Sequence, residues 1–224
     1  MKQIYPSERR QIVDRATGRA VTQITDFPAV NHHPFFLIPA YDRAMKRLYF
    51  VSHRTGTPQV FAYNRQQDVI EQLSQVGELN EWSVHPSGDG QFVYYVADGC
   101  AMRAEVETGK AETLLTARDL TALGGGKVNP GTNNLTPGTT ALSADDRFWA
   151  IRSVSDEGYS VLVFDSRKGS WKRECTCDMV SHMQFCPEDS NLLFCAGPLT
   201  DRVWILDRAS GERRRIFKRN QAEK

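Results

Sequence analysis

The sequence predicts an all-β chain of the β-propeller kind, with about four blades in an incomplete ring. Three observations predict it. The first is a recurring five-residue turn, Asp14-Arg-Ala-Thr-Gly18, Asp165-Ser-Arg-Lys-Gly169 and Asp207-Arg-Ala-Ser-Gly211, with looser copies at Glu105–Gly109 and Asn64–Asp68. Each copy is followed by an alternating run and reads as strand, tight turn, strand. The second is another hairpin that recurs upstream of four of these turns, at 40–52, 85–97, 142–154 and 186–197. The third is the spacing, about 40 residues from Gly169 to Gly211 and about 60 from Gly109 to Gly169, where a unit of four short strands is the period of a propeller blade.

Taken in order, the units fall at roughly 29–76, 79–117, 135–177 and 179–219, within one propeller domain spanning 1–224. A β-sandwich is the competing fold, because regularly spaced short strands are its signature too. Ahead of the first unit, Asp14–Asp26 reads as a turn and an outermost strand with no blade of its own. In a closed propeller such a strand completes the last blade, yet the fourth unit already ends in an outer strand at Arg213–Lys218. The chain is therefore expected to be the N-terminal part of a larger propeller, or to have its ring completed in another way. Ala117–Gly138 is a long loop over one face, whose Gly124-Gly-Gly-Lys127 lacks the Ser or Thr and the helix of a phosphate-binding loop. The tail Arg213-Arg-Arg215 with Lys218-Arg219 reads as a solvated last strand.

Composition narrows the function classes. The 224 residues are 40% hydrophobic and 25% charged with a net charge of +1, an ordinary globular balance that creates no field for nucleic acid or an anionic membrane. No apolar run reaches the roughly 18 residues of a membrane span, and the N-terminus has no signal-peptide core. A cytoplasmic address is expected. The five cysteines, Cys100, Cys175, Cys177, Cys186 and Cys195, fit a reduced compartment better than a disulfide framework. Cys175-Thr-Cys177 with Cys186 lacks zinc-knuckle spacing and reads as strand thiols.

The chain is organised around Met179–Gly197, MVSHMQFCPEDSNLLFCAG, where His182 precedes a Pro-Glu-Asp-Ser-Asn turn and sits at the mouth of a hairpin. This stretch with Pro198 and the strand Arg202-Val-Trp-Ile-Leu-Asp207, together with DRATGRAVTQIT, Asn31-His32-His33 and SHRTGTPQVFAYN, resembles the oligogalacturonate lyases. The most specific part is the His182 hairpin; the N-terminal part is shared more loosely with periplasmic-binding and peptidase propellers. The resemblance implies a seven-bladed propeller that continues for about three more blades, a bound manganese ion, and cleavage of short oligogalacturonates by β-elimination in pectin breakdown.

β-Elimination on a uronate removes the C5 proton and expels the C4 oxygen. That needs a positioned base and positive charge on the carboxylate as it becomes enolate-like. By resemblance His182 is the base, and a neutral imidazole with an ordinary pKa near 6.5 is a suitable acceptor. His32 matches a histidine at the start of the first blade and is expected to contact the anionic sugar; adjacent strand residues face opposite ways, so at most one of His32 and His33 does so. His53 and His85 lie beside turns and read as solvated.

The sequence departs from the family in three places. The ligands that the resemblance attaches to manganese, three histidines and a glutamine, fall on later blades, so no metal ligand is assigned here. The family's carboxylate-neutralising arginine corresponds to Ser160, with Arg152 as the neighbour expected to substitute. Ser181-His-Met183 stands where Gly-His-Pro is usual. The chain by itself is therefore expected not to turn over oligogalacturonate, and its open stack to self-associate or be marginally stable. A non-catalytic propeller fragment that binds oligosaccharide or a protein partner is the alternative.

Overall fold

A computed structural model describes residues 2–116, 118–119, 123, 139–155 and 158–217. The long loop predicted at Ala117–Gly138 lies almost wholly outside the described residues. Three short strands come first, β1 (Gln3–Pro6), β2 (Arg10–Val13) and β3 (Ala20–Gln23). The first blade follows with β4 (Asn31–His32), β5 (Arg47–Ser52), β6 (Gln59–Asn64) and β7 (Val69–Gln72). The second has β8 (His85–Pro86), β9 (Phe92–Ala97), β10 (Cys100–Glu105) and β11 (Ala111–Leu115). In the third are β12 (Ala141–Leu142), β13 (Phe148–Ser155), β14 (Gly158–Asp165) and β15 (Ser170–Cys177). The fourth has β16 (His182–Phe185), β17 (Leu192–Ala196), β18 (Val203–Asp207) and β19 (Arg213–Arg215).

Each blade is an antiparallel sheet whose strands pair in chain order, and the fold is that of a β-propeller. The turn residues explain the pairing. In the Asp-x-x-x-Gly copies and the looser Glu105–Gly109 copy the glycine amide donates to the carbonyl four residues back, at 2.8 Å in Gly18, Gly109, Gly169 and Gly211. All four glycines have φ between 62° and 75°, a left-handed conformation that costs a residue with a Cβ. The other looser copy, Asn64–Asp68, closes on Asp68 at φ 53°, which an aspartate tolerates.

The blades have no solvent-facing middle. Tyr49, Val51, Val60 and Ala62 of the first pack against Val93, Tyr95, Ala97 and Ala104 of the second. The opposite face of the second, Tyr94, Val96, Ala101 and Leu115, meets Trp149, Ile151, Leu162 and Phe164 of the third. Ala150, Val161 and Val163 then turn to Met183, Leu193, Cys195, Trp204 and Leu206 of the fourth. Central strands are thus buried on both faces, which is why FVYYVA and VLVF read as continuous apolar runs. Successive face-to-face packing of this kind excludes the sandwich.

Two features differ from expectation. Asp14–Asp26 does not supply an isolated outermost strand: β3 pairs with β2 in a separate two-stranded sheet. The strand that extends a blade is β1, which adds outside β7 as the fifth strand of the first sheet. Side chains fasten neighbouring blades. The Asp146 carboxylate accepts from the Gly88 and Asp89 amides at 2.7 and 3.0 Å and pairs with Arg43 at 2.9 Å, tying the turns of three blades together.

Candidate functional site

His182 opens β16, the innermost strand of the fourth blade, across from Ala196. It is half-buried. Its ring stacks on Phe35 at 5.3 Å and meets the edge of Phe36 at 6.4 Å. The Thr139 hydroxyl lies 3.2 Å from the Ser181 carbonyl and 3.4 Å from His182 Nδ1. A hydroxyl has one proton; donating it to the carbonyl leaves its oxygen to accept from Nδ1–H, and the lone pair then sits on Nε2. Burial, then the positive charges of Arg202 and Arg152, hold the His182 pKa below its ordinary value. The imidazole is therefore neutral near pH 7, as a base requires. Removing one of these charges in Arg202→Gln is expected to raise the His182 pKa, read by an NMR titration of its ring protons; no rise would exclude the electrostatic coupling.

Arg152 lies on β13, where its guanidinium donates to the Val180 carbonyl at 2.7 Å and lies over the Tyr159 ring at 5.6 Å. It pairs across from Val161, whereas Ser160 pairs with Ser153. Cross-strand partners share a face, so Arg152 faces the fourth blade and His182, while buried Ser160 faces the other way. Arg152 does not occupy the place of the Ser160 side chain; it reaches the neighbourhood of His182 from the opposite face. Arg202, whose Nη1 donates to the Gly197 carbonyl at 2.8 Å, is a second guanidinium here. In the sequence Arg202 stands out only as part of the Arg202–Asp207 motif.

His32, on the innermost strand of the first blade, joins His182 through aromatic rings: His32 lies 5.2 Å from Trp82, Trp82 6.1 Å from Phe35, and Phe35 stacks on His182. The two histidines therefore share one opening but do not touch. His33 is exposed. Both ring nitrogens of His32 have protein partners, Nδ1 the His33 carbonyl at 2.9 Å and Nε2 the Glu81 carboxylate at 2.8 Å. His53 Nε2 meets the same Glu81 oxygen at 2.9 Å. Burial alone would raise the Glu81 pKa, but the bonds from His32 and His53 bring it below the ordinary value. Glu81 lies in a 3-10 turn, Glu81–Ser83, whose N-cap Asn80 accepts from the Trp82 amide at 3.2 Å. Nothing in the sequence singled out Glu81, Trp82 or Phe35.

The solvated reading of His85 is wrong. It lies on β8, the innermost strand of the second blade, and is buried, with Nδ1 3.0 Å from the Pro86 carbonyl. His53 is half-buried rather than free in solvent. A cavity of about 440 Å³ beside the inner strands is lined by residues including His85, Thr139 and Met183. His182 does not line it, so the cavity lies next to that histidine rather than around it. All five thiols are free. Among the described residues no helix is long and apolar enough to cross a membrane. The three-histidine and glutamine set has no counterpart among the described residues, where the one close group of three metal-ligating side chains is His32, His53 and Glu81.

No family model and no curated protein sequence matches the chain. Solved structures do. An oligogalacturonate lyase in complex with manganese superposes with a TM-score of 0.78 at 17% identity, over 96% of this chain and 61% of that one. The oligogalacturonate lyase of Vibrio parahaemolyticus gives 0.78 at 16% identity with the same coverage. TolB from Acinetobacter baumannii gives 0.58 at 16% identity, over 94% of this chain and 49% of that one. The chain thus has the fold of the oligogalacturonate lyase propellers and spans about 61% of their length.

Proposed function

We propose that the fourth-blade site is built for β-elimination on oligogalacturonate, with His182 as the proton acceptor. The observation that carries this reading is a neutral histidine on an innermost strand with two guanidiniums, Arg152 and Arg202, close enough to depress its pKa. His182 Nε2 takes the C5 proton; the electron pair forms the C4–C5 double bond; the C4–O bond breaks and the departing oxygen is protonated by solvent. The guanidiniums attract the uronate carboxylate and favour its enolate-like form, while Phe35 and Phe36 hold the imidazole and give a sugar an apolar face to lie on. Manganese, when bound in a lyase of this kind, supplies positive charge to that carboxylate. Its implied ligand set has no counterpart among the described residues, so no step here passes through it.

A second reading, sugar binding without turnover, is favoured by buried Ser160 at the family's arginine position, facing away from His182. Losing one donor to a developing oxyanion typically costs about 3–4 kcal/mol. The isolated chain is accordingly expected to bind trigalacturonate while turnover stays below detection. The experiment is calorimetric titration with trigalacturonate, alongside ultraviolet absorbance of the conjugated product in the presence of manganese. Clear turnover that disappears in His182→Gln would show that Arg152 and Arg202 suffice and that the chain is a working lyase. No binding at all would remove the oligogalacturonate reading.

A further inference from the structure

We propose that His32, His53 and Glu81 form a binding site for a first-row divalent metal ion, separate from the ligand set implied by the resemblance to lyases. The three side chains come from three segments of two blades: β4, the residue after β5, and the turn before β8. Their ligand atoms lie within 4.8 Å of one another, and both histidine Nε2 atoms point at the same carboxylate oxygen, at 2.8 and 2.9 Å.

The geometry at His32 makes the case. Its Nδ1 lies 2.9 Å from the His33 carbonyl, and a backbone carbonyl on the outer ring nitrogen is the arrangement that metal-ligating histidines usually have. Its other nitrogen, Nε2, is directed at the Glu81 oxygen at 2.8 Å, with His53 Nε2 on the same oxygen at 2.9 Å, so an ion among the three would be met by two nitrogens and a carboxylate.

The scaffold is firm. His32 pairs with Val51 and stacks on Trp82, the His53 amide donates to the Val30 carbonyl at 3.0 Å, and Asn80 caps the turn bearing Glu81. Metal–nitrogen and metal–oxygen bonds of about 2.0–2.2 Å put tetrahedral ligand atoms about 3.4 Å apart, so each histidine Nε2 would draw back from the Glu81 oxygen by about half an ångström. Two imidazoles and a carboxylate suit zinc and its transition-metal neighbours. The side chains keep 22%, 31% and 29% of their surface exposed, which leaves coordination positions open to solvent. An ion there would also join the first two blades. It would reverse the sign of a rim that now presents a carboxylate, turning it towards anions.

The test is to titrate the full chain, stripped with a chelator, with Co2+ by visible absorption and calorimetry, and to repeat it with Zn2+. One equivalent is expected to bind with a histidine-type cobalt spectrum and to raise the Tm. Glu81→Gln and His53→Gln should each weaken binding at least tenfold, and His33→Gln should leave it unchanged. If a variant does not fold, the wild-type chain decides: Zn2+ should move the ring-proton signals of His32 and His53 and leave those of His85 and His182 in place. No stoichiometric binding, equal binding by the variants, or signals that move elsewhere would overturn the site and leave the three side chains joined by hydrogen bonds alone.

Discussion

Arg47→Met is expected to destabilise the protein by about 3–5 kcal/mol, the range for removing one partner of a buried ion pair. Glu71 is 1% exposed and lies on β7 between the added strand β1 and the body of the first blade. Its carboxylate accepts from Arg47 Nε at 2.8 Å, Lys2 Nζ at 2.9 Å and Asn64 Nδ2 at 3.3 Å. Burial alone would raise its pKa, yet the bonds from Arg47 and Lys2 hold it below the ordinary carboxylate value, so the charged form is the native one. Methionine keeps the apolar stem of Arg47 and removes only the charge and donors, leaving Glu71 short of its closest partner. The control is Glu107→Ala, which deletes the other carboxylate on Arg47 at a position 75% exposed; exposed pairs contribute about 0–1 kcal/mol. Urea unfolding with an unchanged slope measures both. A loss below about 1 kcal/mol in Arg47→Met would mean that Lys2 and Asn64 satisfy Glu71 without it.

How far the sequence could be read depended on whether a feature was local. The Asp-x-x-x-Gly turns and the polar hairpin tips are made by residues a few positions apart, so they recur visibly and placed all four blades. His182 stood out as a candidate because its hairpin is one continuous motif. β1 was missed: Gln3–Pro6 is four residues ending in proline, and only its long-range pairing with β7 makes it a blade strand. His85 looked like a turn residue because β8 is just two residues long, too short to show alternation. The face of Arg152 was hidden for another reason. Whether it points with Ser160 or against it depends on the β13–β14 register, and a shift of one residue would reverse the answer. The His32, His53 and Glu81 cluster spans 49 residues between its first and last members, so no spacing rule finds it. Its members meet only because propeller topology brings the starts of two successive blades and the end of β5 to one rim.

Burial on an inner strand makes the protein sensitive to acid, and between pH 6.5 and 4 it is expected to lose about 3 kcal/mol of stability through His85. Burial pushes the His85 imidazole down to about 4, against the opposing effect of its bond to the Pro86 carbonyl, whereas in the unfolded chain it titrates near 6.5. Above pH 6.5 both states are neutral at this residue and nothing is lost. As the pH falls below 6.5 the unfolded state binds the proton and the native state does not, so stability drops until about pH 4, below which both are charged and the loss is complete. His182, depressed in the same direction, adds to the same limb. Glu8, whose carboxyl is held at about 2 with Arg54 as its ion-pair partner, acts lower, between its ordinary value and that one. His85→Asn separates the contributions, since its amide can still donate to the Pro86 carbonyl but takes up no proton. Urea unfolding at a series of pH values from 7 to 4.5 should show a steep limb in the wild type and a flatter one in the variant. Parallel limbs between pH 6.5 and 5 would mean that the native protein admits a proton to His85, by opening the inner edge of the second blade before it unfolds.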